Sequence, residues 1–123
     1  MSLSVMIVED CPIFLGMIRR VLGETDGLKV ESYSDGCLAW ERICETPPDL
    51  LITDNKMPKM SGVELAGLVS AKYPQVEIII MTACPEMLKD DCKFTVIGKT
   101  GRDFHLKLLK IVNEYKSTKY IGI

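Results

Sequence analysis

Leu50-Leu51-Ile52-Thr53-Asp54-Asn55-Lys56-Met57-Pro58-Lys59-Met60-Ser61-Gly62 is the stretch that decides the fold. The apolar run Leu50-Leu51-Ile52 is short and stops at Asp54, and a polar turn holding Met57-Pro58 follows. Ser61-Gly62 then opens a helical pattern. An apolar run this short, met at once by a turn, reads as a buried strand of a parallel sheet. Asp54 then lies where that strand leaves the sheet. In open α/β sheets, ligands and chemistry collect at the carboxyl ends of the strands.

Working outward, the same pattern recurs. Leu3 to Val8 is a first strand that stops at Glu9-Asp10, and Cys11-Pro12 starts a helix with Asp10 or Cys11 as its cap. Phe14, Ile18, Val21 and Leu22 repeat at helical spacing on its inner face, and the Gly23 to Gly27 stretch ends it. Leu28 to Tyr33 alternates as a second strand. Ser34-Asp35-Gly36 caps a second helix reaching about Glu45, with Ala39, Trp40 and Ile43 inward, and Thr46-Pro47-Pro48 breaks it. The third strand is Asp49 to Thr53, ending at Asp54, and the third helix runs from about Ser61 to Tyr73. Gln75 to Met81 is a fourth strand ending at Thr82. Cys84 to Asp91 has room for a helix of two turns at most. Lys93 to Gly98 is a fifth strand that delivers Lys99, and a last helix spans about Arg102 to Lys116 with Phe104, Leu108, Ile111 and Val112 apolar. Strands alternating with helices five times imply right-handed βαβ units, a parallel sheet and helices on both faces, a doubly wound α/β domain.

Composition agrees with a globular domain. The 123 residues suit one domain, 1–123, and 47% apolar with 26% charged residues is ordinary for a packed core. Fifteen basic against 17 acidic residues leave a net charge of −2, which argues against direct nucleic-acid binding and against a membrane surface. No run approaches the length of a membrane span and no secretory signal pattern opens the chain, so a cytoplasmic setting is expected. Five cysteines without a C-x-x-C pair, and a single His105, speak against a disulfide framework or a zinc site. They read as reduced thiols, most of them buried. Cys11 reads as a small packing residue rather than a redox sensor, Trp40 as packing, and His105 as a surface position.

The polar residues at the carboxyl ends of four strands are Glu9-Asp10, Asp54, Thr82 and Lys99. The sheet brings them together from distant parts of the chain. Three carboxylates at one edge repel one another, and a hard divalent cation such as Mg²⁺, which prefers oxygen ligands, relieves that repulsion. A lysine supplies positive charge for an anion and a threonine one more donor. This inventory suits a phosphoryl group, with one carboxylate able to act as the nucleophile.

These residues, in this order, resemble the receiver domain of bacterial two-component response regulators. The likeness rests on Glu9-Asp10, on Asp54 followed by Met57-Pro58 and Ser61-Gly62, on Thr82-Ala83 and on Lys99, and it covers nearly the whole chain. It implies a five-stranded, flavodoxin-like sheet in the order 2-1-3-4-5. It also implies a phosphorylation-dependent switch: Asp54 as phosphoacceptor, fed by a sensor histidine kinase or a phosphotransfer protein in a Mg²⁺-dependent reaction. Asp10 matches the direct metal ligand, Glu9 the one acting through water, and Lys56 the position whose backbone carbonyl completes the metal site with Asp54. Lys99 matches the lysine that pairs with the phosphoryl oxygens, Thr82 the hydroxyl that moves to bond them, and Ala83 the small neighbour. Lys56 and Cys84 match positions that tune dephosphorylation. The chain is then no enzyme beyond self-catalysed aspartyl phosphorylation and dephosphorylation. The output partner and oligomeric state are left open.

Three features depart from the family pattern. The interval from Thr82 to Lys99 is short, which shortens the fourth helix. Val96 stands where an aromatic switch residue is usual, with Phe94 two positions earlier on the same side of the strand. Thr100 replaces a common cis-bonded proline, so the peptide after Lys99 is expected to be trans. These departures motivate an alternative, a receiver-like scaffold that binds a partner without phosphorylation. An aspartyl-phosphate phosphatase resembling the haloacid dehalogenase family is disfavoured, because Asp54-Asn55-Lys56 lacks the second aspartate of that family's Asp-x-Asp pair.

Overall fold

The computed structural model describes residues 2–88 and 93–121, with side chains to 119. Five parallel strands, β1 (Leu3–Val8), β2 (Leu28–Tyr33), β3 (Leu50–Asp54), β4 (Glu77–Thr82) and β5 (Thr95–Gly98), form one sheet in the order β2-β1-β3-β4-β5. The helices are α1 (Pro12–Leu22), α2 (Gly36–Glu45), α3 (Gly62–Lys72) and α4 (Phe104–Ile121). The doubly wound parallel sheet is the one expected from the alternation, and the flavodoxin-like strand order is the one the family resemblance implies.

Strand periodicity explains the two cores. Leu50 and Ile52 of β3 face one side of the sheet and Leu51 the other, and all three are fully buried. On one side they join Ile7, Ile79 and Met81 with Ile18 and Leu22 of α1 and Phe104, Leu108 and Val112 of α4. On the other they join Val8, Ile78 and Ile80 with Ala39 and Ile43 of α2 and Leu65 and Val69 of α3. Each such fully buried aliphatic side chain contributes about 1.5–3 kcal/mol. A strand covered on both faces has little room for polar groups, so β3 is apolar from Leu50 to Ile52; buried Thr53 donates its hydroxyl to the Asp54 carbonyl at 2.9 Å, and Asp54 stands at the open end.

Caps set where the helices begin. Ser61 accepts a hydrogen bond from the Glu64 amide, and the Glu64 carboxylate accepts one from the Ser61 amide, both at 3.1 Å, a reciprocal capping box. The Asp35 carboxylate caps α2 by accepting from the Leu38 amide at 2.9 Å. Cys11, not Asp10, is the cap residue of α1, and its side chain makes no capping bond. Asp10 is thereby left for other use. Gly62 has no alternative, because a Cβ there would meet the Asp54 carbonyl oxygen at 2.3 Å. The Asp54 backbone and the start of α3 are that close.

Several boundaries differ from the sequence reading; β4 begins at Glu77 rather than Gln75 and α4 at Phe104 rather than Arg102. Where a short fourth helix was expected, the described part is a single 3₁₀ turn, Pro85–Met87, and the remainder of that expectation, 89–91, lies outside the described residues. β5 begins at Thr95 rather than Lys93, since its ladder to β4 starts at the Ile79–Thr95 pair. α4 runs to Ile121 rather than Lys116. Its last turns are tied down by Tyr115, whose hydroxyl donates to the Asp49 carbonyl at 3.0 Å, and by a Lys119–Asp49 ion pair. Phe94 and Val96 pack against the same core, as their alternation requires. Every peptide bond among the described residues is trans, including that after Lys99.

The cysteine expectation needs correction. Cys11, Cys44 and Cys84 are exposed and Cys37 is half-buried, all as free thiols, while Cys92 lies outside the described residues. Cys11 and Cys84 sit in the loops at the carboxyl edge and Cys44 in the last turn of α2, where the core does not reach. Half-buried Trp40 packs against Tyr73, with ring centroids 6.5 Å apart, and His105 is exposed, both as read from the sequence.

Candidate functional site

Four of the five strands, all but β2, deliver polar groups to the same edge. β1 ends into Glu9 and Asp10, β3 ends on Asp54, β4 ends on Thr82 and β5 leads to Lys99. Parallel register aligns these ends: Asp54 sits opposite Met81 and Thr82 opposite Gly98. The Lys99 amide continues the ladder by donating to the Thr82 carbonyl at 2.8 Å.

The side chains converge. One carboxylate oxygen from each of Glu9, Asp10 and Asp54 lies within 4.8 Å of the other two. Lys99 Nζ donates to Glu9 Oε1 at 2.9 Å and lies 3.3 Å from Asp54 Oδ2. The other Glu9 oxygen accepts from the Cys11 amide at 3.1 Å. Thr82 Oγ1 accepts from the Cys84 amide at 3.2 Å, which leaves its own O–H free to donate. Asp54, Thr82 and Lys99 line a cleft of about 600 Å³ with Asn55, Lys56, Ala83, Cys84, Met87 and Leu88. All five polar side chains singled out from the sequence are therefore at one place, and Lys56 is an exposed residue on the rim of the same cleft.

The electrostatics follow from burial. Glu9 is only 1% exposed and Asp54 5%, whereas Asp10 is open to solvent. Burial raises the Glu9 pKa, and its hydrogen bonds with Lys99 and the Cys11 amide offset this in part, while the Asp54 charge adds to the rise. Burial works against the Lys99 ammonium, but the hydrogen bond to Glu9 and the charges of Asp54 and Glu9 outweigh it and hold the pKa above the ordinary lysine value. Three carboxylates against one ammonium leave negative charge uncompensated at this edge. An all-oxygen cluster of that kind fits a hard divalent cation.

Asn55 was not singled out from the sequence, yet it shapes the turn after Asp54. Its amide donates to the Met81 carbonyl and its carbonyl accepts from Gly62, both at 2.9 Å, while its side-chain oxygen accepts from the Val63 amide at 3.1 Å. An asparagine between a strand and a capped helix carries that signal, since its short side chain substitutes for backbone partners. Phe14 was read only as a core position of α1. Its ring also lies against Lys99, with Nζ 4.3 Å from the centroid.

The fold and this acidic edge define a flavodoxin-like domain with a candidate cation and anion site at its carboxyl end. The response regulator receiver domain model matches residues 5–101, and the chain belongs to that family of two-component signalling domains. The sensor histidine kinase TmoS of Ectopseudomonas mendocina is 37% identical over 105 residues, covering 84% of this chain and 10% of that protein. The chemotaxis protein CheY of Listeria monocytogenes is 29% identical over 105 residues, 85% of this chain and 86% of its own length. The chain therefore spans a tenth of the first relative and most of the second. RcsB from Salmonella enterica serovar Typhimurium, solved bound to promoter P1flhDC in the presence of phosphomimetic BeF3-, matches with a TM-score of 0.78 at 23% identity, over 96% of this chain and 62% of that one.

This last likeness corrects the expectation that nucleic acid is excluded as a partner. A regulator with this fold is found on DNA. A net charge of −2 sums over the receiver fold and carries no information about DNA contacts made by the rest of a longer chain. Among the described residues no helix is long and apolar enough to cross a membrane.

Proposed function

We propose that residues 1–123 act as one receiver unit in which Asp54 accepts a phosphoryl group from a histidine kinase or phosphotransfer protein, with Mg²⁺ as cofactor, in a cytoplasmic setting. The observation that carries this reading is the Lys99 ammonium held between Glu9 and Asp54 at the mouth of the cleft. In the transfer, an Asp54 oxygen bonds to phosphorus as the bond from phosphorus to the donor imidazole nitrogen breaks. The imidazole takes the electron pair and then a solvent proton, and Asp54 becomes a mixed anhydride. This is nucleophilic acceptance by a carboxylate.

Glu9, Asp10 and Asp54, with the Lys56 carbonyl, would hold the Mg²⁺, whose charge would neutralise phosphoryl oxygens when bound. Lys99 would pair with one of those oxygens and Thr82 would donate its free O–H to another. Each charge-assisted bond of this kind contributes roughly 1.5–3 kcal/mol. Two of them shift a two-state equilibrium by about 10²–10⁴ at 1.4 kcal/mol per decade, enough for a switch. The acceptor carboxylate and the groups that would steady the phosphoryl oxygens all come from this chain, so a small phosphoryl donor would serve in place of the kinase.

The test is incorporation of phosphoryl from acetyl phosphate. The native protein is expected to take up one phosphoryl group with Mg²⁺ present and almost none in excess chelator. Uptake unchanged by chelator, or absent in both, would count against the proposal.

A further inference from the structure

Lys99 has a third neighbour beyond the two carboxylates. Its Nζ stands 4.3 Å from the centroid of the Phe14 ring. An ammonium over an aromatic face is attracted by the ring quadrupole, and more strongly where it is shielded from water. Only 19% of the Lys99 side chain is exposed. Phe14 lies in the first turn of α1, just beyond the acidic pair. Its ring is braced in turn by Phe104, the first residue of α4, with centroids 5.2 Å apart and planes tilted by 46°. Phe104 is 3% exposed and belongs to the core, so the brace is fixed.

We infer that Phe14 is a positioning residue for Lys99, its ring face holding the ammonium at the cleft while Phe104 fixes the ring. The carboxylates alone are a conditional holder. Any cation taken up by Glu9 and Asp54 cancels the charge that draws the ammonium to them. A ring face offers no oxygen to a hard cation, and so its attraction persists. The phosphoryl-binding role of Lys99 is taken from the function proposed above. What Phe14 adds is control over where that ammonium waits.

The experiment uses the whole chain with isotope-labelled lysine, the Lys99 signals being assigned by their loss in Lys99→Arg. In the native protein without any donor, the Lys99 methylene protons next to Nζ are expected to show an upfield ring-current shift. Phe14→Leu removes the shift and Phe14→Tyr keeps it. The second measurement is the initial phosphorylation rate with acetyl phosphate and Mg²⁺. Phe14→Leu is expected to slow it by about three- to thirtyfold, the range set by a cation–π contact. Phe14→Tyr restores the rate, and Phe14→Leu has no further effect in a Lys99→Met background. Urea unfolding of each variant confirms that the protein compared is folded. Equal losses in the Leu and Tyr variants, the same loss with and without Lys99, or no ring-current shift in the native protein would overturn the assignment. A native protein that shows the shift but takes no phosphoryl group would instead overturn the functional reading.

Discussion

Lys99 Nζ lies 2.9 Å from Oε1 of Glu9, a carboxylate that is 1% exposed. The pair joins the end of β1 to the end of β5 across β3 and β4 at the carboxyl edge of the sheet. Removing one partner of such a pair leaves the other buried and uncompensated, which costs more than the pair itself contributes. Lys99→Met is therefore expected to destabilise the metal-free protein by about 1–3 kcal/mol. Added Mg²⁺ should recover more stability in this variant than in the native protein, because the cation meets three carboxylates with no competing ammonium. Urea unfolding in chelator and in Mg²⁺ measures both effects.

Gly62 is tested by adding a single carbon. A Cβ there would come within 2.3 Å of the Asp54 carbonyl oxygen and 2.9 Å of the Asn55 Cα, and backbone atoms cannot turn aside as a side chain does. Gly62→Ala is expected to cost about 3 kcal/mol or more. It should also slow phosphorylation of Asp54 in whatever fraction remains folded. Gly67, where a Cβ would meet nothing within 4 Å, is the control: Gly67→Ala should stabilise α3 by roughly 0.5–1 kcal/mol.

The capping box of α3 separates stability from chemistry. Ser61→Ala removes the acceptor for the Glu64 amide and should cost about 0.5–2 kcal/mol. The phosphorylation rate of the folded protein should change little, since Ser61 contributes no group to the acidic edge. A large drop in rate with stability unchanged would contradict that division.

Acid unfolding carries a signature of Asp49. This residue accepts from the Ser4 amide at 2.8 Å and pairs with Lys119. Burial opposes its ionisation, but the hydrogen bonds from Lys119 and Ser4 outweigh burial and lower its pKa below the ordinary 3.8. A folded-state value below the unfolded one means that the unfolded chain binds the proton first, so stability rises with pH across this window. The contribution is complete above pH 3.8 and is lost as pH falls through the depressed folded value. Asp49→Asn should thus be less stable than the native protein at neutral pH, and the gap should narrow below pH 3.8. Thermal unfolding of both proteins across the acid range reads it.

How much was legible in the sequence follows from the physics of each part. β3 and β4 were plain because strands covered on both faces are mainly apolar runs, and the gathering of the candidate residues at one edge was plain because they lie where those runs stop. The end of α4 was not, since Tyr115 and Lys119 extend it by reaching Asp49, 66 and 70 positions away. Neither helical periodicity nor capping rules report such a contact. The same limit hid the second face of Phe14: spacing marked it as core, while its approach to Lys99 depends on how α1 packs against α4. The exposed thiol of Cys11 was misjudged because composition treats cysteine as a core residue, whereas this one sits in the loop between β1 and α1 at the site.

The most direct test of the central claim is to trap the phosphorylated residue itself. After reaction with acetyl phosphate and Mg²⁺, borohydride reduces an aspartyl phosphate to homoserine, and peptide mass spectrometry locates it. The account predicts homoserine at position 54 in the native protein and none anywhere in Asp54→Asn. Reduction at Asp10 instead, or no homoserine in a folded native protein, would contradict it.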